Sequence, residues 1–239
     1  MTKGKEYYKQ KIIEGAPVKV FFATNTSMLE YPYMLGRPEE SSPTLAKQAD
    51  EYILDSGIEN EELTTDDIIQ RAEDIGATTV VPKDKIDDPN ATTDAVVDML
   101  SKTDKDVLIP LQSDDNTRRS EHYFELSDKL QEIGYDIADF TVALGGIRDH
   151  SVEEQILTAK RFRENVGWQP DVHAFGCGIH HEWVVAIRKC PRLIDSLDTS
   201  TVSYTVNNGN VFDATMQMRD FELARGKNST CLFTMQKET

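Results

Sequence analysis

The amino-acid sequence predicts an α/β protein, a (β/α)8 barrel forming a single compact domain over residues 1–239. Three observations predict it. The chain is 239 residues long, and barrels of about 200–250 residues commonly stand as one unit. Short apolar, β-branched runs alternate with amphipathic helical stretches, the pattern of parallel βα units. No GxGxxG or P-loop segment follows any of these runs, so the alternative, a doubly wound open sheet, lacks its nucleotide-binding versions.

The predicted strands begin with KVFFAT at 19–24. Residues 29–50, which include YPYMLGRPEESSPTLA, read as a long βα loop. EYILDS at 51–56 is the second strand, and TTDDIIQRAEDIG at 64–76 the helix after it. Thr64 or Thr65 stands where an N-cap belongs, with carboxylates in the following turn, and Gly76 stands where the helix should stop. TTVVPK at 78–83 precedes the helix TDAVVDMLSK, and DVLIPLQ at 106–112 precedes SEHYFELSDKLQEIG, which stops at Gly134. FTVALGG at 140–146 leads to SVEEQILTAKRFRENVG, capped by Ser151 and stopped by Gly167. DVHAFGC at 171–177, the helix HEWVVAIRKC and RLIDSLD at 192–198 complete seven strands. An eighth is expected in SYTVNNGNVF, with TMQMRDFELAR as a late helix.

A hydrophobic fraction of 38%, spread through the chain, suits a folded protein with one core. No apolar run approaches the roughly 18–20 residues that span a bilayer, and the polar start MTKGKEYYKQK lacks a secretory apolar segment. A cytoplasmic protein without membrane contact is expected. Cys177, Cys190 and Cys231 show no CxxC spacing, so reduced thiols are expected rather than a disulfide framework or a zinc knot. The net charge of −16 is dispersed through IENEELTTDD, KDKIDD and QSDDN, which counts against ordinary phosphate-backbone binding. Two readings stay open: a small-molecule enzyme, or a protein adapted to concentrated salt, where phosphate attraction is screened.

In a barrel the chemistry lies at the carboxyl ends of the strands. The polar residues there are Asp55-Ser56-Gly57, Lys83-Asp84, Gln112, Gly145-Gly146, Cys177-Gly178, and Asp195 with Asp198. Any one Asp could be a helix cap or a loop solvator. Two carboxylates facing one pocket can instead divide labour, one attacking a sugar anomeric carbon and the other moving the proton of the departing base.

At these residues the chain resembles the guanine transglycosylases. ILDSG resembles their Asp-Ser-Gly-Gly motif, ALGG their glycine pair, and VHAFGCG followed by a helix and LIDSLDTS their nucleophile region, over roughly residues 18–205. The resemblance implies a TIM-type barrel and a pentosyltransferase that exchanges guanine in nucleic acid for a 7-deazaguanine through a covalent Asp-glycosyl intermediate. Carried over, Asp198 is the nucleophile, Asp195 its structural neighbour, and Asp55 the general acid/base, with Ser56 beside it in the base pocket. Asp84 would read the Watson–Crick edge of guanine, and Gln112 with the backbone of Gly145, Gly146 and Ile147 would contact O6 and the 7-substituent. Ile58, Glu59 and Asn60 stand where the family has Gly, Phe and Gln, and the carboxyl-terminal zinc cluster is missing. The nearest branch is therefore the minimal DNA-guanine transglycosylases, some of them virus-encoded, which would put this chain in a host cytoplasm. The implied partners are nucleic acid, DNA ahead of tRNA, and a free 7-deazaguanine base, with no cofactor, no metal, and room for a homo-oligomer.

Other residues have blander readings beside them. His180-His181-Glu182 would point to different sides of a helix start, which disfavours a metal. Arg118-Arg119 and the group Lys160, Arg161 and Arg163 read as solvated helix charges, with a phosphate contact as the alternative. Trp168 and Trp183 read as packing residues. The rival functions are a tRNA-guanine transglycosylase, a non-catalytic barrel subunit of such an enzyme, and a small-molecule barrel enzyme such as an aldolase or glycosidase.

Overall fold

Eight short strands run parallel, and each is hydrogen-bonded to the next until the last returns to the first, which closes the ring. This computed structural model describes residues 18–23, 32–56, 63–85, 88–113, 115–178 and 180–200. The strands are β1 Lys19–Ala23, β2 Tyr33–Gly36, β3 Glu51–Leu54, β4 Thr79–Val80, β5 Asp106–Gln112, β6 Thr141–Gly145, β7 Asp171–Ala174 and β8 Ser196–Thr199. Between them lie helices α1 Pro43–Gln48, α2 Thr65–Ile75, α3 Pro89–Lys102, α4 Asn116–Glu132, α5 Val152–Val166 and α6 His181–Lys189. The predicted (β/α)8 barrel is the observed architecture.

The helix ends follow their local chemistry. Thr64 caps α2 and Ser151 caps α5, each in a reciprocal box with the carboxylate of Asp67 or Glu154. Gly76 ends α2 at φ +79°, a left-handed conformation that glycine adopts without a Cβ clash.

The ring closes differently from the expectation. Residues 29–50 are not one loop, because they hold β2 and α1. Gly36 ends β2 under the ring of Tyr52, where a Cβ would lie 2.2 Å from the Tyr52 hydroxyl. That hydroxyl donates to Ser41 Oγ at 2.8 Å, and Ser41 Oγ donates to the Arg37 carbonyl at 2.6 Å. A four-residue strand that follows Pro32 and ends in Gly36 thus owes its place to β3 and to the turn after it, and the ring reaches eight strands by residue 199. The eighth strand and late helix expected in SYTVNNGNVF and TMQMRDFELAR lie outside the described residues.

Alternation along the strands sorts side chains into two layers. Val20, Phe22, Leu54, Val80, Ile109, Val142, Leu144, Val172 and Leu197 belong to the core shared with the helices. The barrel interior has its own cluster of Phe21, Leu35, Ile53, Val81, Leu108 and Ala143, drawn from β1 to β6. Two strands break that apolar pattern. His173 of β7 pairs with Ala143, and Asp198 of β8 pairs with Phe21. Both polar side chains therefore enter the interior at the positions where the other strands supply hydrocarbon. No helix among the described residues is long and apolar enough to cross a membrane.

The amino end of the ring is locked by Arg163 of α5, which is buried. Its guanidinium donates to the Leu193 carbonyl at 3.1 Å, the Pro170 carbonyl at 2.6 Å and Asp195 Oδ2 at 2.8 Å. Asp195 also accepts from the Val172 amide at 2.8 Å. Arg163 is thus no solvated helix charge, since it ties the entries to β7 and β8 together. Trp183 is fully buried, with its indole N–H donating to Gln155 Oε1 at 3.1 Å, as a packing residue. Cys177 is a free, buried thiol, and Cys190 is buried at the end of α6.

Candidate active site

Because all eight strands are parallel, their carboxyl ends share one rim, and the structure sorts the rim residues into two groups. The first gathers on β3, β4 and β5. Asp55 follows the last residue of β3, its amide bonded to the Gly36 carbonyl at 2.9 Å. Asp84, just beyond β4, is only 7% exposed, and Gln112 at the end of β5 donates its Nε2–H to Asp84 Oδ2. Burial pushes the Asp84 carboxyl up to about 6, a rise that Gln112 opposes and the negative charge of Asp55 reinforces. Lys83 Nζ donates to the Leu63 carbonyl at 2.9 Å on the same strand end. Ser56 is fully buried, and its hydroxyl has no hydrogen-bond partner among the described residues; Gln112 Oε1 is buried and unpartnered in the same way.

The glycine pair serves this group from below. Gln112 and Gly145 are register partners on β5 and β6, and a Cβ on Gly145 would lie 2.3 Å from the Gln112 amide. The missing side chain is what lets Gln112 lie across to Asp84. Arg119, buried rather than solvated, donates to the Ser113 carbonyl and to the Gly145 carbonyl at 3.0 Å, which fastens the ends of β5 and β6 together. Gly146 makes the following turn at φ +71°. Ile147 is fully buried in the outer core, and its carbonyl accepts from Gln155 at 3.1 Å. Gly145 and Ile147 thus hold the framework, with their carbonyls already engaged by the chain itself.

The second group lies on β7 and β8. Asp198 Oδ1 accepts from the Gly176 amide at 2.7 Å and from His173 Nε2 at 3.3 Å. With Nε2–H toward the carboxylate, His173 Nδ1 is left to accept from Ser196 Oγ at 2.8 Å. Phe21 and Phe175 stand edge-on to the imidazole, with centroids at 5.8 and 4.8 Å. The turn after β7 passes Gly176 at φ +66° and Gly178 at φ +65°, and the Gly178 amide closes onto the Asp198 carbonyl at 3.2 Å. Burial, with Asp198 beside it, pushes the Cys177 thiol well above its usual range, which favours the protonated form. His180 is the N-cap of α6 without a side-chain capping bond.

The predicted pair Asp55 and Asp198 stands on strands three apart on the one rim, each with its own neighbours. Asp55 belongs with Asp84 on one side of the rim, and Asp198 belongs with His173 three strands away around the ring. His173 escaped the sequence reading, since a single histidine in an apolar strand resembles a satisfied core residue. Strand parity was the available signal: His173 shares its side of β7 with Phe175 rather than with Val172 and Ala174.

No protein-family model and no curated protein matches this chain. Solved structures do match. A protein from Aquifex aeolicus VF5, known from a structural study, aligns at TM-score 0.59 and 10% identity over 94% of this chain and 98% of that one. The YdjI aldolase from Escherichia coli K12 aligns at TM-score 0.50 and 15% identity over 93% of each chain. At these identities the likeness shows the barrel fold alone. The resemblance to guanine transglycosylases is accordingly corrected: a neighbour with a stated activity is an aldolase, and nothing found supports a pentosyltransferase, 7-deazaguanine exchange or DNA modification.

Proposed function

We propose that this chain is a barrel enzyme that moves protons at the carbon next to a carbonyl of a small molecule, in an aldol-type cleavage or condensation. The observation that carries the reading is Asp84: a carboxyl buried at the rim, held by Gln112, beside the charge of Asp55, and pushed up to about 6. Such a group populates both protonation states near neutrality, which is what a general acid/base needs. Asp84 exchanges the proton at the carbon, Gln112 orients it, and burial reinforced by the charge of Asp55 sets its charge state. Lys83 contributes a cation on the same strand end for the developing enolate. The neighbouring aldolase barrel supports aldol chemistry as the first reaction to assay, and the dispersed acidic charge of the chain suits a small substrate better than a polymer.

The test is deuterium exchange at the carbon beside the carbonyl of pyruvate and hydroxyacetone, followed by NMR in heavy water. The wild-type protein should exchange at least one of them, with a rate that rises through about pH 6 as Asp84 ionises. Asp84→Asn should lower that rate by about a hundredfold or more. Undiminished exchange by Asp84→Asn, or a flat profile across that range, would overturn the reading.

A further inference from the structure

An aldol step needs two proton movements, one at carbon and one at the hydroxyl oxygen, and the rim holds a second carboxylate that the first assignment leaves idle. We infer that Asp198 is the catalytic residue that takes the hydroxyl proton, and that His173 is its positioning residue. This rests on the proposed function and adds the missing half of it.

The geometry on β7 and β8 carries the inference. Asp198 Oδ1 is occupied by two N–H donors, the Gly176 amide and His173 Nε2, while Oδ2 makes no hydrogen bond among the described residues. The Asp198 side chain keeps 10% of its surface exposed, at the carboxyl end of β8. His173 is fully buried in a barrel interior otherwise lined by Phe21, Leu35, Ile53, Val81, Leu108 and Ala143. A polar pair in such surroundings costs stability that a hydrocarbon pair of similar volume would not. The chain Ser196–His173–Asp198 sets the direction of the imidazole, and the edges of Phe21 and Phe175 fix its plane. The carboxylate is thereby held in one orientation, as a base at a fixed oxygen requires.

The step balances without another reactant. Asp198 Oδ2 takes the proton of the substrate hydroxyl, and the O–H pair becomes the new C=O bond. The carbon–carbon bond breaks toward the carbonyl, and the resulting enolate takes the proton of protonated Asp84 at carbon. Two carbonyl fragments leave, and each carboxyl exchanges its proton with water before the next turnover. Condensation is the reverse.

The experiment compares two rates in the same protein: deuterium exchange into pyruvate and hydroxyacetone, which needs Asp84, and cleavage of a panel of β-hydroxyketones and γ-hydroxy-α-keto acids, which needs both carboxylates. In Asp198→Asn the ratio of cleavage to exchange should fall about a hundredfold. Asp198→Glu, which keeps the charge but moves the oxygen, should lower the same ratio and serves if the amide variant does not fold. His173→Gln should lower kcat for cleavage and alter its pH profile, with KM little changed. A ratio that stays at the wild-type value in folded Asp198→Asn and Asp198→Glu overturns the assignment of Asp198 and leaves the proposed function standing. An unaltered kcat and pH profile in His173→Gln overturns the positioning role. A wild-type protein that exchanges neither probe overturns both proposals together.

Discussion

Asp195 at the amino end of the barrel, partly buried, and Asp84 at the carboxyl end, buried, both have a pKa raised first of all by loss of solvent, yet their surroundings differ in kind. Asp195 faces a buried guanidinium and a backbone amide, and all of these groups hold one another. Asp84 accepts from the Gln112 amide and faces the like charge of Asp55, with unpartnered polar atoms on Ser56, next to Asp55, and on Gln112 itself. A carboxylate that is paired and satisfied ties strands together. One buried against a like charge is kept at a cost to the fold, and in a parallel barrel such groups collect where the loops of catalysis begin.

The largest effect should come from breaking the satisfied end. Arg163→Met removes the buried cation and leaves the partly buried Asp195 with one donor, a change that should cost about 3 kcal/mol, read by denaturant unfolding. A loss under about 1 kcal/mol would mean that the amino end is not locked by this pair.

The carboxyl end should respond with the opposite sign. The folded pKa of Asp84 lies at about 6, above its ordinary 3.8. The folded state therefore binds this proton more tightly than the unfolded chain, and the group destabilises the fold progressively as pH rises from about 4 through about 6. Above that window the penalty is on the order of 3 kcal/mol. Asp84→Asn should remove it, giving a variant more stable than wild type at pH 7 and nearly equal to it at pH 4, while activity is lost. Parallel stability curves for the two proteins across this range would erase the contrast between the ends.

A smaller loss is expected at Gly145→Ala, where the new methyl meets the Gln112 amide at 2.3 Å. Overpacking of this kind costs about 1–3 kcal/mol. Displaced from Asp84, Gln112 no longer lowers that carboxyl, so the activity profile should move to higher pH as stability falls. A stability loss with an unmoved profile would detach Gly145 from the site. The smallest effect provides a scale remote from either end: Ser151→Ala loses one helix cap, about 1 kcal/mol by thermal melting, with the pH profile untouched.

The contrast also explains what could be read in advance. The βα alternation, the caps at Thr64 and Ser151 and the stop at Gly76 were legible because each depends on residues within a few positions of one another. The rim positions of Asp55, Asp84, Gln112 and Asp198 followed from the strand ends. Their grouping did not, since it depends on which strands lie side by side in the ring. Gly145 illustrates the difference: a glycine at a strand end suggested a ligand close to the backbone, whereas the neighbour that fills the space is Gln112 of the adjacent strand.

The sequence by itself determined the architecture, because hydrophobic periodicity and capping are local and repeat seven times over. Tertiary structure alone decided that Tyr33–Gly36 is a strand, that Arg119 and Arg163 are buried clamps, and that His173 enters the barrel interior beside Asp198. Each of these rests on a partner more than 20 residues away or on closure of the ring, such as the Gly145 carbonyl for Arg119 or Asp195 for Arg163. A solvated arginine and a buried one can have the same neighbours in sequence; burial and the carbonyls that receive its hydrogen bonds are settled only when the strands meet.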